Sequence, residues 1–259
     1  MRPGRTLTDI EQSERLLLAT RLAARSTYEL LRAAAERTPE HRALGCASAA
    51  RQANQPVSLT YRVLLGKVHQ TANLLADLGI GTQDVIALLL PDMLETHLLL
   101  WGGQAAGIVY PIPSSAPLDQ VMTLVRMVEA KVLAAPGPDV SQDLWRKAEL
   151  LRREMESIKV ILQVQGPGNE REAIYAFDAL LADYQASRLL TGREIAPDDI
   201  AISFPTTDTT GAPSCVPLTH GALLYTAWAL GLVTMLTPEE VLLRGLLHLF
   251  QGWWPVAGS

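Results

Sequence analysis

Apolar positions along the chain follow two alternating rhythms. From Thr27 to Arg37, "TYELLRAAAER" spaces Leu30, Leu31, Ala34 and Ala35 on one helical face, with Thr27 placed to cap it and Pro39 just beyond its end. "ASAARQANQPV" then reads as loop, and "LTYRVLLGKVHQTANLLADLG" as a second helix closed by glycine. Next, "DVIALLL" is a continuous apolar run of strand length, "PDMLETHLLLWGGQAAG" opens as a helix does, and "IVYPIP" returns to β-type residues. Downstream, "PLDQVMTLVRMVEA" predicts helix, "KVLAAP" strand, "SQDLWRKAELLRREMES" helix, "IKVILQVQ" strand and "AIYAFDALLADYQA" helix.

Strands alternating with helices of this length predict a doubly wound α/β fold. Its sheet should be mostly parallel, with helices on both faces and right-handed crossovers. At 259 residues, 48% hydrophobic and 19% charged, the chain has room for a sizeable core and lacks the composition of a disordered one. A net charge of −5 supplies no basic field for nucleic acid or an anionic membrane surface. Cys46 and Cys215 stand far apart with no CxxC or Cys/His cluster, so zinc is not expected and a reducing, cytoplasmic setting is. The longest apolar run, Leu98 to Pro113, is broken by glycines and prolines and is too short for a membrane span.

Familiar chemical signatures are missing. No G-x-G-x-x-G follows the first strand, and no Walker loop, H-E-x-x-H or G-x-S-x-G occurs. His41, His69, His97, His220 and His248 are scattered singly. What remains is "ISFPTTDTTGAPSCVPLTHGALL" (202–224), an apolar run that breaks into threonines, Gly211 and Pro213 before a helix-like pattern. A threonine-rich, glycine-closed loop between strand and helix can gather hydroxyls and backbone N–H groups round an anion, because the first N–H groups of a helix lack partners within it. An ordinary capped turn is the alternative.

This segment resembles the phosphate-binding signature of the AMP-forming adenylating enzymes, the superfamily of acyl- and aryl-CoA ligases, peptide-synthetase adenylation domains and luciferases. There, a strand leads into Thr-Ser-Gly-Thr-Thr-Gly-x-Pro-Lys-Gly and, soon after, Leu-Thr-His. Thr206, Thr207, Thr209, Thr210, Gly211 and Pro213 match that form, as do Leu218, Thr219 and His220. Upstream, "LTYRVLL", "GIGTQDVIALLL" and "AGIVYPIP" keep the family's order, so the resemblance covers roughly 27 to 253. It implies the N-terminal part of an acyl-CoA synthetase large domain, with 1–26 an extension and 27–259 an incomplete AMP-binding domain lacking its C-terminal subdomain. The implied chemistry is activation of a carboxylic acid, such as a fatty acid, with ATP and Mg²⁺ to an acyl-adenylate, then a CoA thioester. Thr206, Thr207, Thr209, Thr210 and Gly211 would hold phosphate, and His220 would lie near the nucleotide and acyl pocket.

The loop departs from the pattern at three positions. A family glycine is Asp208, the lysine is Ser214, and the next glycine is Cys215. A carboxylate about 4 Å from a phosphate charge repels it by roughly 4 kcal/mol at an effective dielectric of 20, before screening. Loss of the lysine removes a charge-assisted contact of about 1.5 to 3 kcal/mol. The family's later motifs do not follow Ser259, so the chain alone is expected to lack both half-reactions. The rival expectation is a non-catalytic interaction module that docks a partner or a second copy through Phe250, Trp253 and Trp254 near its aromatic end.

Overall fold

The computed structural model describes residues 24–46, 57–207 and 213–234. Helix α1 (Thr27–Arg37) buries Thr27, Leu31 and Ala35. Its cap is Ser26, one residue earlier than expected, whose Oγ accepts the Glu29 N–H at 3.1 Å. Strands β1 (Arg42–Cys46) and β2 (Val57–Thr60) pair antiparallel as a small separate sheet that the apolar pattern did not announce. Thr60 then caps α2 (Tyr61–Asp77), and Gly79, at φ 81°, lets the chain turn away from the helix end.

The remaining elements build the main sheet. Along the chain come β3 (Val85–Leu88), α3 (Leu94–Ala106), β4 (Ile108–Pro111), α4 (Leu118–Val128), β5 (Val132–Pro136), α5 (Gln142–Glu154) and β6 (Val160–Val164). After them follow β7 (Ile174–Ala176), α6 (Phe177–Leu181), β8 (Ile200–Thr207), β9 (Pro213–Thr219) and α7 (His220–Thr234). The seven-stranded order is β7-β6-β5-β3-β4-β8-β9, parallel throughout except for the last pair. No helix among the described residues is long and apolar enough to cross a membrane.

Two cores explain why the central strands read as unbroken apolar runs. Ile86, Leu88, Val109, Val132 and Ala134 point into one core, together with Leu64, Val68, Leu75 and Leu99 from α2 and α3. Their neighbours Ala87, Leu89, Tyr110, Leu133 and Ala135 point into the other, with Leu124 and Val125 of α4 and Ala148 and Leu151 of α5. Side chains alternate across a strand, so a sheet covered on both faces favours apolar residues at every position; buried Gln163 of β6 is polar, and its Oε1 accepts the Gly168 N–H at 2.7 Å.

Two expectations are corrected. The stretch 173–186 is not one helix: Ile174 and Tyr175, β-type residues, add edge strand β7 beside β6 in the register Ile161↔Ile174, and α6 is only five residues long. The segment after Pro213 is also not yet helix, because β9 pairs with β8 from Pro213 to Thr219 before α7 begins.

Helix α3 crosses α2 at Gly102. A Cβ on Gly102 would lie 2.5 Å from the Thr71 side chain, whereas one on Gly231 of α7 would meet nothing within 4 Å. Gly102→Ala is therefore expected to lose about 1 to 3 kcal/mol through overpacking. Gly231→Ala should gain about 0.5 to 1 kcal/mol from helix propensity. Urea unfolding of both variants checks the opposite signs, and equal midpoints would refute the close α2–α3 contact.

Candidate active site: the β8–β9 hairpin and its buried base

The candidate phosphate loop is the tip of the β8–β9 hairpin. β8 lies parallel to β4 at Val109↔Ile202, so the tip lies beyond the carboxyl ends of the parallel strands, the end at which open α/β sheets bind ligands. Register sets what shares a face there. Thr206 lies opposite Ser214, and Thr207 opposite Pro213. Directly opposed residues carry their side chains on the same face. The position at which the resembled pattern has lysine therefore adjoins the first threonine of the loop. Thr209, Thr210, Gly211 and the substituted Asp208 lie outside the described residues.

Prolines shape the hairpin. Pro205 on β8 faces Cys215, while Pro213 and Pro217 face Thr207 and Ser203. All three fall on one alternation, which is therefore the set of pairs that exchange no backbone hydrogen bonds between β8 and β9. On β8 this alternation turns its amides toward β4, so Pro205 ends that ladder early. Beside it the Ser203 Oγ lies 2.7 Å from the Cys215 Sγ, under the buried Tyr110 ring. Burial, then the neighbouring Cys215, raises the Tyr110 phenol well above its usual range.

His220 is at the other end of β9. Seven extended residues separate it from the tip, about 20 Å at strand rise. The structure does not bring His220 and the threonine loop together. Its ring is fully buried: the Thr27 N–H reaches Nδ1 at 3.3 Å and the Thr27 hydroxyl lies 2.9 Å from the same atom. The Thr27 hydroxyl donates in turn to the Gln104 Oε1 at 2.8 Å.

The N-terminus of α7 is equally occupied. Asp199 C=O accepts the His220 N–H at 3.0 Å, Pro197 C=O the Gly221 N–H at 2.8 Å, and Thr219 Oγ1 the Ala222 N–H at 3.2 Å. With these N–H groups satisfied and the helix displaced by a whole strand, the helix-terminus anion site expected from the strand–loop–helix pattern is not formed.

A clasp that sequence inspection passed over fixes this base. Arg193 donates from Nη1 to Ala106 C=O at 2.8 Å, at the end of α3, and from Nη2 to Asp199 Oδ2 at 3.0 Å. The same carboxylate oxygen accepts the Ala196 N–H at 3.0 Å. Partial burial pushes the Asp199 carboxyl up, but the Ala196 N–H and Arg193 outweigh it and hold it below its ordinary value. For His220, burial and then the Arg193 guanidinium outweigh Asp199 and bring the imidazole down to about 4. Only the paired aspartates 198 and 199 ahead of a strand hinted at the clasp. Neither Arg193 nor Thr27 carries a spacing signal.

Some of the chemistry of a nucleotide site is on the hairpin and some is not. The described residues of the hairpin place Thr206 opposite Ser214 near its tip, and none of them is Lys or Arg. Among the described residues no group of three or more His, Cys, Asp or Glu side chains could hold a metal ion. As it stands, this part of the site does not fit the charge of a triphosphate with its metal.

Fold and hairpin together define a member of the adenylate-forming class, and the comparisons agree. The sequence profile of the AMP-binding enzyme family matches residues 31–247, and the chain belongs to that family. It is 26% identical over 221 residues to a marinolic acid–CoA ligase of Pseudoalteromonas sp. (strain SANK 73390), a match that covers 85% of this chain and 33% of the ligase. In fold it is similar to a long-chain-fatty-acid-CoA ligase from Archaeoglobus fulgidus, at TM-score 0.72 and 17% identity, over 85% of this chain and 41% of that one. An acyl-CoA synthetase of Brucella canis gives TM-score 0.69 at 21% identity, over 90% and 42%. The chain thus spans about a third of the curated relative and about two fifths of the solved structures.

Arg193→Met removes the ion pair and leaves the Ala106 carbonyl without its donor. With both partners of the pair largely buried, the expected loss is about 2 to 3 kcal/mol. A fall in the urea midpoint with an unchanged m-value checks this, and a loss under about 0.5 kcal/mol would show that the clasp does not hold the base.

Proposed function

We propose that this chain is the N-terminal part of an AMP-dependent acyl-CoA synthetase, in which residues 27–259 form an incomplete adenylating domain behind an extension at 1–26. In the complete enzyme a carboxylic acid, such as a fatty acid, would attack the α-phosphorus of Mg-ATP to give an acyl-adenylate, and CoA would then take the acyl group as a thioester. The observation that carries the reading is the β8–β9 hairpin, with Thr206 at its tip, on the fold of the acyl-CoA synthetases.

Phosphate transfer of this kind rests on hydroxyls, N–H groups and cations that stabilise charge on the phosphoryl oxygens. Thr206, Thr207, Thr209, Thr210 and Gly211 would supply the loop, and His220 would act from the hairpin base by fixing its position. Asp208 and Ser214 weaken the grip on Mg-ATP, and this chain by itself is proposed to complete neither half-reaction. Two lone cysteines support a cytoplasmic setting.

Asp208 and Ser214 also favour a second reading, a non-catalytic interaction module that keeps the fold and docks a partner. Its aromatic residues Phe250, Trp253 and Trp254 lie outside the described residues. Calorimetric titration of the full chain with Mg-ATP separates the two readings. The Asp208→Gly/Ser214→Lys double variant should bind at least tenfold more tightly than the unaltered chain, since one restored charge-assisted contact is worth about 1.5 to 3 kcal/mol. A folded double variant with no gain would sink the phosphate-loop reading and leave the module.

A further inference from the structure

A buried hydroxyl with nothing to bond stands beside a thiol. Tyr110 of β4 is fully buried, and its phenolic oxygen has no hydrogen-bond partner among the described residues. It shares a face of the sheet with Ser203 of β8 and with half-buried Cys215 of β9, which packs against the core that holds Tyr110. Cys215 is the side chain that acts on the phenol, and the Ser203 Oγ lies 2.7 Å from its sulfur. A buried O–H without an acceptor has given up its bonds to water and regained none.

Sulfur chemistry decides what would use that hydroxyl. A thiol sulfur is a weak acceptor, so Tyr110 gains little from Cys215 as it stands. Phenylalanine would fill the same volume without the buried polar atom, so packing alone does not call for a tyrosine. An oxygen bonded to Sγ would be a strong acceptor within the same cluster, and the partial exposure of Cys215 gives a small solute a way to it. A sulfenic acid is the modification that adds one such oxygen.

We propose that Cys215 is a site of oxidation by hydrogen peroxide, at which the added sulfenic oxygen accepts the Tyr110 O–H and is held there. The thiol gives up its proton, and the thiolate sulfur attacks one peroxide oxygen, so that an S–O bond forms as the O–O bond breaks. Sulfur is oxidised by two electrons, and the other oxygen leaves as hydroxide and takes up the released proton as water. Cys46, the chain's other cysteine, belongs to β1 in the separate small sheet, so the hairpin offers no second thiol with which the sulfenic acid could close a disulfide. Return to the thiol falls to a small-molecule thiol, through a mixed disulfide. Cys215 adjoins Ser214, which lies opposite Thr206, so the modification is one residue from the candidate phosphate loop. The chemistry at sulfur needs no nucleotide in that loop.

A pulse of hydrogen peroxide on the reduced full chain tests this. Catalase destroys the excess, dimedone is added after increasing delays to trap sulfenic acid, and peptide mass spectrometry reads the adduct on Cys215. Cys215 should carry the adduct, and its trappable lifetime should be roughly fivefold shorter or more in Tyr110→Phe. That variant loses only the orphan hydroxyl, so in the reduced state its urea midpoint should equal or exceed that of the unaltered chain. In the urea-unfolded chains the two lifetimes should coincide. Absence of the adduct from Cys215 would overturn the proposal, as would equal lifetimes in the folded proteins or a difference that persists in urea. A reduced Tyr110→Phe chain that is destabilised or does not fold would show that the phenol already has a partner, and would overturn it as well.

Discussion

Everything in this structure depends on the sheet being covered on both sides. β3, β4, β5 and β6 are apolar at nearly every position, so the sheet needs helices on both faces, and the chain meets that need by sending α3 to one face and α4 and α5 to the other. The order β5-β3-β4 places the reversal of winding beside β3. It leaves β4 as the strand onto which the hairpin is added. The hairpin's position therefore follows from core packing before any ligand is considered.

The physical logic of the hairpin is that its two ends are built differently. Its base is tied by a guanidinium, a carboxylate, a buried imidazole and three carbonyl or hydroxyl acceptors, with Arg193 Nε and His220 Nε2 buried there without a hydrogen-bond partner. Its tip carries short hydroxyl side chains, and the cation of the resembled pattern is absent from the place opposite Thr206.

The parts legible in sequence were those with a periodic signal. The range of α1 and the runs that became β3 to β6 were read correctly, because helical spacing and continuous apolar strands are local patterns, whereas the threonine segment was read as a loop leading into a helix and is followed instead by a strand. β1, β2, β7 and β9 escaped notice: the first three are short, and each of the four is defined by its partner more than by its own composition. β9 in particular contains two prolines, which argue against a strand until an edge position is known. The Arg193–Ala106 and Thr27–His220 contacts join residues distant in sequence and leave no mark on spacing. His220 shows the cost of that blindness, since a motif places it near the loop in sequence while the intervening strand carries it to the opposite end.

The prolines of β9 have one more consequence. Pro213 and Pro217 sit on the alternation whose amides point away from β8, toward the open rim of the sheet, and they leave Cys215 and Thr219 as the only donors there. An incoming strand would find every second rung missing. Two missing donors weaken backbone pairing along that side of β9. Contacts made at that rim therefore depend more on side chains than those of an edge strand with every amide in place.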